Sequence, residues 1–139
     1  MTDTAQVIEF QLGDERYCIG IDFVSEVVRV DREQLTLVPN SPRYVEGVVD
    51  LRGETTTVIN PYEVLDIDGR LDTFGQMLVF DKTEMGDEAV GWLVDDVYRV
   101  SNIEETAIEE SPADRAGIRG VVNRDDGFVI WTSPDRALG

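Results

Sequence analysis

The chain has 139 residues, enough for one domain whose core needs neither a disulfide nor a metal ion to hold it together. Its 29 acidic and 12 basic residues give a formal net charge of −17, which disfavours nucleic acid and anionic membrane surfaces as partners. The acids are spread along the whole chain, a pattern typical of a solvated surface suited to high salt, and we therefore hypothesise a halophilic host.

The first predicted element is a β-hairpin close to the N-terminus. Residues 7–12 alternate between two sets of side chains with the period of a half-buried strand. Residues 13–15, which read GDE, supply a turn, and the return strand runs to residue 21. This stretch therefore predicts two antiparallel strands.

A second hairpin follows an ambiguous run and a connection. Residues 23–30 contain valines at both helical and strand spacing, which predicts one helical turn that leads into a strand. Residues 31–47 include the sequence VPNSP and predict a turn-rich connection. Residues 47–60 read GVVDLRGETTTVIN, two β-rich runs around a tight turn with Arg52 at the bend.

The second half of the chain repeats this order of elements. Residues 69–75 are the predicted junction between the halves, and residues 77–94 predict a third hairpin. Residues 103–117 are acidic and predict a partly helical surface loop. A fourth hairpin follows, in which Asp125 is the ungapped counterpart of Arg52.

The halves match when the sequence is shifted along itself. With a shift of 73 residues, GVVD at 47–50 lies on GVVN at 120–123. With a shift of 70 residues, FVSEVVRV at 23–30 lies on LVDDVYRV at 93–100. The shift of 73 also superposes two predicted helix starts, each a capping residue followed by proline: residues 60–61 and 133–134.

The repeat predicts a mainly β fold with two packed five-stranded β-barrel lobes and short helical turns, in a single domain over residues 1–139. We expect one lobe over approximately residues 6–70 and the other over approximately 74–139, because each half contains about five short strands. Barrels this small bury few side chains alone, so the lobes should pack together and leave a groove between them.

The composition favours a binding module over an enzyme. The chain has no histidine, which removes the commonest general base and the usual zinc ligand, and it has no glycine-rich phosphate loop. Acid pairs at 95–96 and 109–110 are expected by chance in so acidic a chain, and the sequence after Asp66 lacks most ligands of a calcium loop. We predict no catalytic residue, no cofactor and no metal site.

The sequence also predicts a cytoplasmic location. Cys18 is the only cysteine, so no internal disulfide can form. The N-terminal sequence MTDTAQ lacks a basic and apolar leader, and no apolar run approaches the roughly 20 residues of a membrane-spanning helix. We therefore expect no direct insertion into a membrane.

Three segments carry a resemblance to a known family: VIEFQLGDERYCIGIDFVSEVV, LVPNSPRYVEGVVDLRGETTTVIN and GWLVDDVYRV. They resemble the CheW family of chemotaxis adaptors, over about residues 7–138. The resemblance implies two SH3-like barrels side by side and a non-catalytic adaptor that couples chemoreceptors to the CheA histidine kinase in cytoplasmic receptor arrays. With the acidic composition, it leads us to expect a source among the halophilic archaea.

The resemblance further implies partners and sites. Members of the family bind the cytoplasmic hairpin tip of a chemoreceptor in the groove between the lobes, and they bind the regulatory domain of CheA end to end, with further CheW copies joining such rings. Carried over by motif, the receptor-binding groove consists of Val24, Glu26, Val27, Arg52 and Val100. Gly47 and Gly53 are expected to supply backbone conformations near this groove.

This sequence departs from the family pattern at Asp50, where the family commonly has asparagine, and a carboxylate there could pair with Arg52. One alternative remains open, a free-standing SH3-like regulatory or peptide-binding domain of another two-component system. Grooves that bind peptides in this way are usually lined by aromatic side chains, and here these do not cluster in the sequence. The regulatory domain of CheA shares the fold, but no phosphoacceptor histidine or ATP-binding segment is present, which favours a separate adaptor.

Overall fold

The computed structural model describes residues 4–69, 75–104, 107–109, 117–124 and 127–134, without the side chains of Arg32 and Arg124. Within these residues the fold is mainly β, as predicted. The strands are β1 (Thr4–Leu12), β2 (Glu15–Gly20), β3 (Val24–Arg29), β4 (Val45–Leu51), β5 (Glu54–Ile59), β6 (Gln76–Phe80), β7 (Val90–Val94), β8 (Asp96–Glu104), β9 (Ile108–Glu109), β10 (Ile118–Arg124) and β11 (Gly127–Thr132). A short helix, α1 (Pro61–Val64), and 3-10 turns at Ile21–Phe23, Arg32–Gln34 and Lys82–Met85 accompany them.

The strands form two sheets that draw on the chain in different ways. One sheet has the order β8–β1–β2–β11–β10–β9 and takes strands from both ends of the chain; we call it the terminal lobe. The other has the order β3–β6–β7–β5–β4 and is continuous in sequence; we call it the central lobe. The sheets are consistent with two SH3-like lobes, but the predicted bounds of 6–70 and 74–139 are wrong, because each lobe contains strands from both halves.

The lobes correspond strand by strand, with the first hairpin of each half exchanged. The hairpin β1–β2 from the first half completes the terminal lobe, and the hairpin β6–β7 from the second half completes the central lobe. In both lobes the exchanged hairpin pairs in parallel with the second hairpin of the lobe. These pairings are β2 with β11 and β7 with β5. A division of the chain at its midpoint therefore cannot separate the lobes.

The strand register corrects the shift that relates β3 to β8. Glu26 pairs with Val79 in the central lobe, and Arg99 pairs with Glu9 in the terminal lobe. Glu9 and Val79 are related by the shift of 70 that superposes β1 on β6, so Glu26 is equivalent to Arg99 at a shift of 73. The predicted superposition of residues 23–30 on 93–100 is therefore wrong by three residues.

The same β-bulges occur in both lobes. An extra residue interrupts the pairing at Ser25 in β3 and at Tyr98 in β8. A second extra residue lies at Glu46 in β4 and at Arg119 in β10. A bulge turns the following side chain to the other face of the sheet, so equivalent strands change face at equivalent points.

Among the described residues, three apolar clusters hold the fold together, one between the lobes and one inside each lobe. The interlobe cluster contains Ile8, Phe10, Leu12, Tyr17, Ile19, Ile59, Tyr62, Leu65, Leu78, Phe80, Val90, Trp92 and Val94. The buried cluster of the terminal lobe contains Val7, Cys18, Ile103, Val122, Val129 and Trp131, and that of the central lobe contains Val30, Val49, Val58, Met77 and Leu93. The interlobe cluster contains several aromatic rings. The centroid of the Trp92 ring lies 6.4 Å from that of the Phe10 ring and 5.4 Å from that of the Phe80 ring.

Strand β1 is buried on both faces from Val7 to Phe10, so the prediction of a half-buried strand is wrong. Ile8 and Phe10 face the interlobe cluster, and Val7 faces the interior of the terminal lobe. Glu9 follows the same alternation as Val7 and is 0% exposed. Two packed lobes bury a strand that would be half-exposed in a single sheet.

The predicted helix start at residues 60–61 is confirmed, because the Asn60 side chain accepts a hydrogen bond of 3.0 Å from the backbone N–H of Tyr62 at the start of α1. The helical turn predicted from the valine spacing in residues 23–30 is not formed by those valines, since Val24–Arg29 form β3 and a 3-10 turn, Ile21–Phe23, lies before them. The predicted loop at 103–117 contains the short strand β9, which pairs with β10, and its larger part lies outside the described residues. Most of the predicted junction at 69–75 and Asp125 also lie outside them.

Candidate functional site

Val24 and Val27 lie on the face of the central lobe that packs against the terminal lobe. Their cross-strand partners, Phe80 and Leu78, belong to the interlobe cluster. Simple alternation would put Val24 and Val27 on opposite faces, but the bulge at Ser25 brings them to the same one. Val24 is half-buried against the cluster, whereas Val27 on the edge strand remains 37% exposed. The helical spacing of these valines in the sequence is the signature of this bulge.

Val100 occupies the position in the terminal lobe that Val27 occupies in the central lobe. It lies 73 residues after Val27, on the edge strand β8, and pairs with Ile8 of the interlobe cluster. Its side chain is 53% exposed. The two valines are therefore one structural position that occurs once in each lobe. Each lies on an edge strand, where the apolar face of the lobe is partly exposed.

Arg52 forms an ion pair with Glu26, whose carboxylate oxygen Oε2 accepts a hydrogen bond from the guanidinium Nη2. This hydrogen bond and the charge of Glu26 raise the pKa of Arg52. The Arg52 side chain is 75% exposed, so water screens the pair and its contribution to folding is small. The pair joins the turn between β4 and β5 to the edge strand β3.

The turn that carries Arg52 has a defined geometry. Arg52 and Gly53 have φ angles of 52° and 83°, both positive, as in the two-residue turns that suit the twist of a β-hairpin. The Asp50 carboxylate accepts a hydrogen bond of 2.7 Å from the backbone N–H of Gly53. Asp50 therefore stabilises the turn, and the predicted pairing of Asp50 with Arg52 is replaced by the pair with Glu26.

Arg52 and Glu26 line a cavity of about 400 Å³ in the central lobe, which we call the central cavity. A second ion pair, between Lys82 and Glu54, lines the same cavity. The structure thus divides the predicted site in two, because Glu26 and Arg52 face the central cavity whereas Val24, Val27 and Val100 lie on the interlobe faces. Sequence reasoning missed the second pair, although Lys82 is the only lysine in the chain.

Gly47 serves the backbone of the central lobe. Its φ angle is 152°, and a Cβ atom there would lie 2.5 Å from the carbonyl oxygen of Thr36, which bridges to Val48. Gly120 repeats the arrangement in the terminal lobe, where a Cβ atom would lie 2.7 Å from the carbonyl oxygen of Glu109. Both positions require glycine, because a neighbouring chain segment crosses so close to the bulge that a Cβ atom would collide with it.

The acid pair at 95–96 includes a structural carboxylate. Oxygen Oδ2 of Asp95 accepts hydrogen bonds from the backbone N–H of Gly13, at 2.7 Å, and from the Tyr62 hydroxyl, at 2.8 Å. Burial first, and this hydrogen bond second, raise the pKa of Tyr62. Asp95 therefore joins the first hairpin turn to α1.

The described residues bring together no group of three or more histidine, cysteine, aspartate or glutamate side chains that could hold a metal ion. In the same residues, no helix has the length and apolar character needed to cross a bilayer.

A CheW-like domain model matches residues 6–139. The chain belongs to the CheW-like family. It is 30% identical over 132 residues to the chemotaxis protein CheW of Treponema pallidum, with 90% of this chain and 76% of that protein covered. It is 27% identical over 136 residues to the chemotaxis protein CheW of Thermotoga maritima, with 96% and 87% covered. The crystal structure of the scaffolding protein TtCheW from Thermoanaerobacter tengcongensis matches with a TM-score of 0.79 and 27% identity, over 96% of this chain and 90% of that one.

Membership of the CheW-like family confirms the family and the fold class predicted from the sequence. The relatives are named as chemotaxis proteins and a scaffolding protein, so they support an adaptor or scaffold as the class of function. These matches give no support to a halophilic archaeal origin, which stays a prediction.

Proposed function

We propose that the protein is a non-catalytic adaptor that couples the cytoplasmic hairpin tips of chemoreceptors to the regulatory domain of the CheA kinase in receptor arrays. Membership of the CheW-like family is the observation that supports this proposal most strongly. A surface formed by Val27 and Val100, with a contribution from Val24, would contact the receptor tip, and further CheW copies would join the kinase in rings.

The two exposed valines suit this role because each lies at the border of a buried apolar face. A receptor helix laid along such a border would extend the interlobe cluster and bury Val27 or Val100 further. Burying one valine fully contributes no more than about 1.5–3 kcal/mol, and both are already partly covered. Single contacts would therefore be weak, and the many contacts of an array would supply the avidity.

The pair of Arg52 and Glu26 would provide the polar part of recognition. Both groups are accessible, and charged hydrogen bonds fix the orientation of a partner more than they add affinity. An adaptor of this kind couples two states only through a difference in affinity, typically 1–3 kcal/mol. Loss of Arg52 should therefore alter kinase control more than it alters folding.

The test is co-purification of the protein with a purified receptor signalling tip and with the kinase regulatory domain, separately and together. We expect binding to each alone and a ternary complex when all three are mixed. Absence of binding to both would reject the coupling function and favour the alternative of a regulatory or peptide-binding domain from another two-component system.

Substitutions distinguish the receptor surface from the rest of the protein. We expect Val27→Asp and Val100→Asp each to reduce capture by the receptor tip by at least tenfold, with unchanged melting temperature and unchanged binding to the kinase domain. Val38→Asp is a matched control, because Val38 is 41% exposed but lies in the connection between β3 and β4. Equal losses in all three variants would reject the assignment of the surface.

A further inference from the structure

The central cavity has a counterpart in the terminal lobe, which we call the terminal cavity. The terminal cavity measures about 230 Å³ and is lined by Glu9, Arg16, Tyr98 and Arg99. The parallel pairings relate β2 to β7 by a shift of 73, since Tyr17 pairs with Ile130 and Val90 pairs with Thr57, so Arg16 is equivalent to Ala89. The other three equivalents are Val79, Ser25 and Glu26, and all four line the central cavity. The two cavities are therefore one feature of the repeated lobe, present twice with different side chains.

In the terminal lobe, a guanidinium group of the chain itself, that of Arg16, contributes to the cavity. Arg16 lines the cavity, and its guanidinium carbon lies 5.1 Å from the centroid of the Tyr98 ring, a cation–π geometry. A carboxylate lines the same cavity, that of Glu9, which is 0% exposed and binds Nε of Arg99 at 3.1 Å. The terminal cavity thus combines a buried acid, an aromatic ring and arginine side chains from the same chain.

In the central lobe the residue equivalent to Arg16 is Ala89, and the larger cavity lies beside it. Ser25 likewise stands where the terminal lobe has Tyr98. The central lobe therefore lacks both large side chains that occupy the equivalent space in the terminal lobe. The central cavity is the larger of the two, at about 400 Å³ against about 230 Å³.

The charges that line the central cavity favour a cation. Its carboxylates belong to Glu26, Glu54 and Asp81, and its cations are Arg52 and Lys82, so one negative charge is in excess. Asp81 is committed to the start of the 3-10 turn, where its Oδ1 accepts hydrogen bonds from the backbone and side chain of Thr83.

Glu26 and Glu54 each retain an oxygen for a further contact. Each binds its cation through Oε2, and within the described residues Oε1 of each accepts no hydrogen bond. A planar guanidinium suits such acceptors because it presents several N–H donors in a fixed fork.

We propose that the central cavity binds an arginine side chain of a partner protein, which enters beside Ala89 and takes the position at the cavity wall that Arg16 has in the terminal lobe. The guanidinium of this arginine lies between Glu26 and Glu54 and donates hydrogen bonds to their carboxylates, beside the existing ion pairs. The proposal rests on the proposed function only in assigning the arginine to a signalling partner. The site itself is tested without any such partner.

The experiment is a nuclear magnetic resonance titration of the ¹⁵N-labelled full chain with N-acetyl-L-arginine amide at moderate salt. We expect saturable shifts at the backbone N–H groups of Arg52, Glu54 and Ala89. N-acetyl-L-citrulline amide, which has nearly the same shape without the charge, should bind at least tenfold more weakly. Equal binding of the two compounds, or shifts spread over the acidic surface without saturation, would overturn the proposal.

Matched substitutions at equivalent positions complete the test. Ala89→Arg copies the terminal lobe and should abolish binding of the arginine compound, whereas Arg16→Ala opens the terminal cavity and should leave the shifts at Arg52, Glu54 and Ala89 unchanged. Retained binding in folded Ala89→Arg protein would reject the site. If that variant does not fold, the double variant Glu26→Gln with Glu54→Gln should weaken binding at least tenfold, and unchanged binding there would reject the site equally.

A failed titration would reject the cavity site but would not affect the result of co-purification with the receptor tip and the kinase domain. The two proposals can therefore fail separately. If the titration succeeds, the same Ala89→Arg protein identifies the source of the arginine. Loss of capture by the receptor tip alone would assign it to the receptor, and loss of capture by the kinase domain alone would assign it to the kinase. Capture of both at full strength would overturn the role of the cavity in partner binding.

Discussion

The terminal and central lobes share their backbone but differ in their charges. Both have bulges at equivalent residues, and both have a glycine where another segment crosses closely, Gly47 in one and Gly120 in the other. At the equivalent positions of β3 and β8, however, the central lobe has Glu26 and the terminal lobe has Arg99. The repeat therefore preserves the shape of the lobe, while equivalent polar side chains differ in charge and in their partners.

The largest expected effect on stability is in the interlobe cluster, where it tests the shape that the two lobes share. Phe10 and Phe80 are equivalent, both are almost completely buried, and both contact Trp92. We expect Phe10→Ala and Phe80→Ala each to lower the free energy of unfolding by about 3–5 kcal/mol. Urea denaturation measures both, and a difference of more than about 2 kcal/mol between them would break the proposed symmetry of the cluster.

The second test concerns the polar difference inside the lobes. Arg99→Ala removes a partner of the buried Glu9 carboxylate, which keeps its hydrogen bond of 2.5 Å from Ser101. We expect a loss of about 1–3 kcal/mol in the free energy of unfolding. Adding Glu9→Val, which copies Val79 of the central lobe, should recover part of this loss. A double variant less stable than Arg99→Ala alone would contradict this account of Glu9.

The third test concerns the two close-approach glycines. Gly47→Ala and Gly120→Ala should each lower the free energy of unfolding by more than about 1 kcal/mol, since each new methyl group would meet a backbone carbonyl. Gly53→Ala is the control, because its Cβ atom would have no neighbour within 4 Å and only the positive φ angle opposes it. Thermal melting should rank Gly53→Ala as the mildest of the three.

The fourth test concerns the contact of Tyr62 with Asp95, beside the turn of the first hairpin. Burial and Asp95 raise the pKa of Tyr62 in the folded protein above its ordinary value of 10.0. The unfolded chain therefore loses this proton first, so the stabilisation is complete below pH 10 and declines as the pH rises further. Urea unfolding between pH 8 and 11 should show a steeper decline in the parent protein than in Tyr62→Phe. Parallel profiles would contradict the role of the phenol.

The smallest expected effect is that of Arg52→Ala on folding. The Arg52 side chain is largely exposed, whereas Arg99 binds a fully buried carboxylate. The melting temperature should therefore fall less for Arg52→Ala than for Arg99→Ala, despite the formal similarity of the two ion pairs. The reverse order would show that Arg52 is mainly a structural residue.

The sequence predicted the elements well because their patterns are local. The hairpins, the turn at Arg52 and the capped start of α1 each depend on a few neighbouring residues. The exchange of hairpins could not be predicted, because the sequence of β1 and β2 specifies a hairpin but not the sheet that it joins. Once that exchange is known, the burial of Glu9 and its pairing with Arg99, 90 residues away, follow from the register.

The candidate site was predicted only in part for a related reason. Family motifs indicated Glu26 and Arg52, and the structure joins them, but no local pattern relates Lys82 to Glu54. The valine spacing in β3 predicts a helical turn followed by a strand, although a bulge within the strand produces the same spacing. A repeat compared at the level of strand register would have exposed the bulge, since its counterpart recurs at Tyr98.

The exchanged hairpins also set an order of assembly during synthesis. All strands of the central lobe lie between residues 24 and 94, so that lobe can form as soon as this stretch has left the ribosome. The hairpin β1–β2 is made first but must wait for β8, which begins at residue 96, a delay of roughly 4–15 s at ordinary translation rates. During that interval the central lobe is itself incomplete, because its last strand, β7, ends at Val94, just before β8 begins, so the apolar residues of β1 that later pack between the lobes have neither lobe to cover them. The earliest part of the chain is thus among the last to reach its final partners, since β2 also pairs with β11, which ends at Thr132.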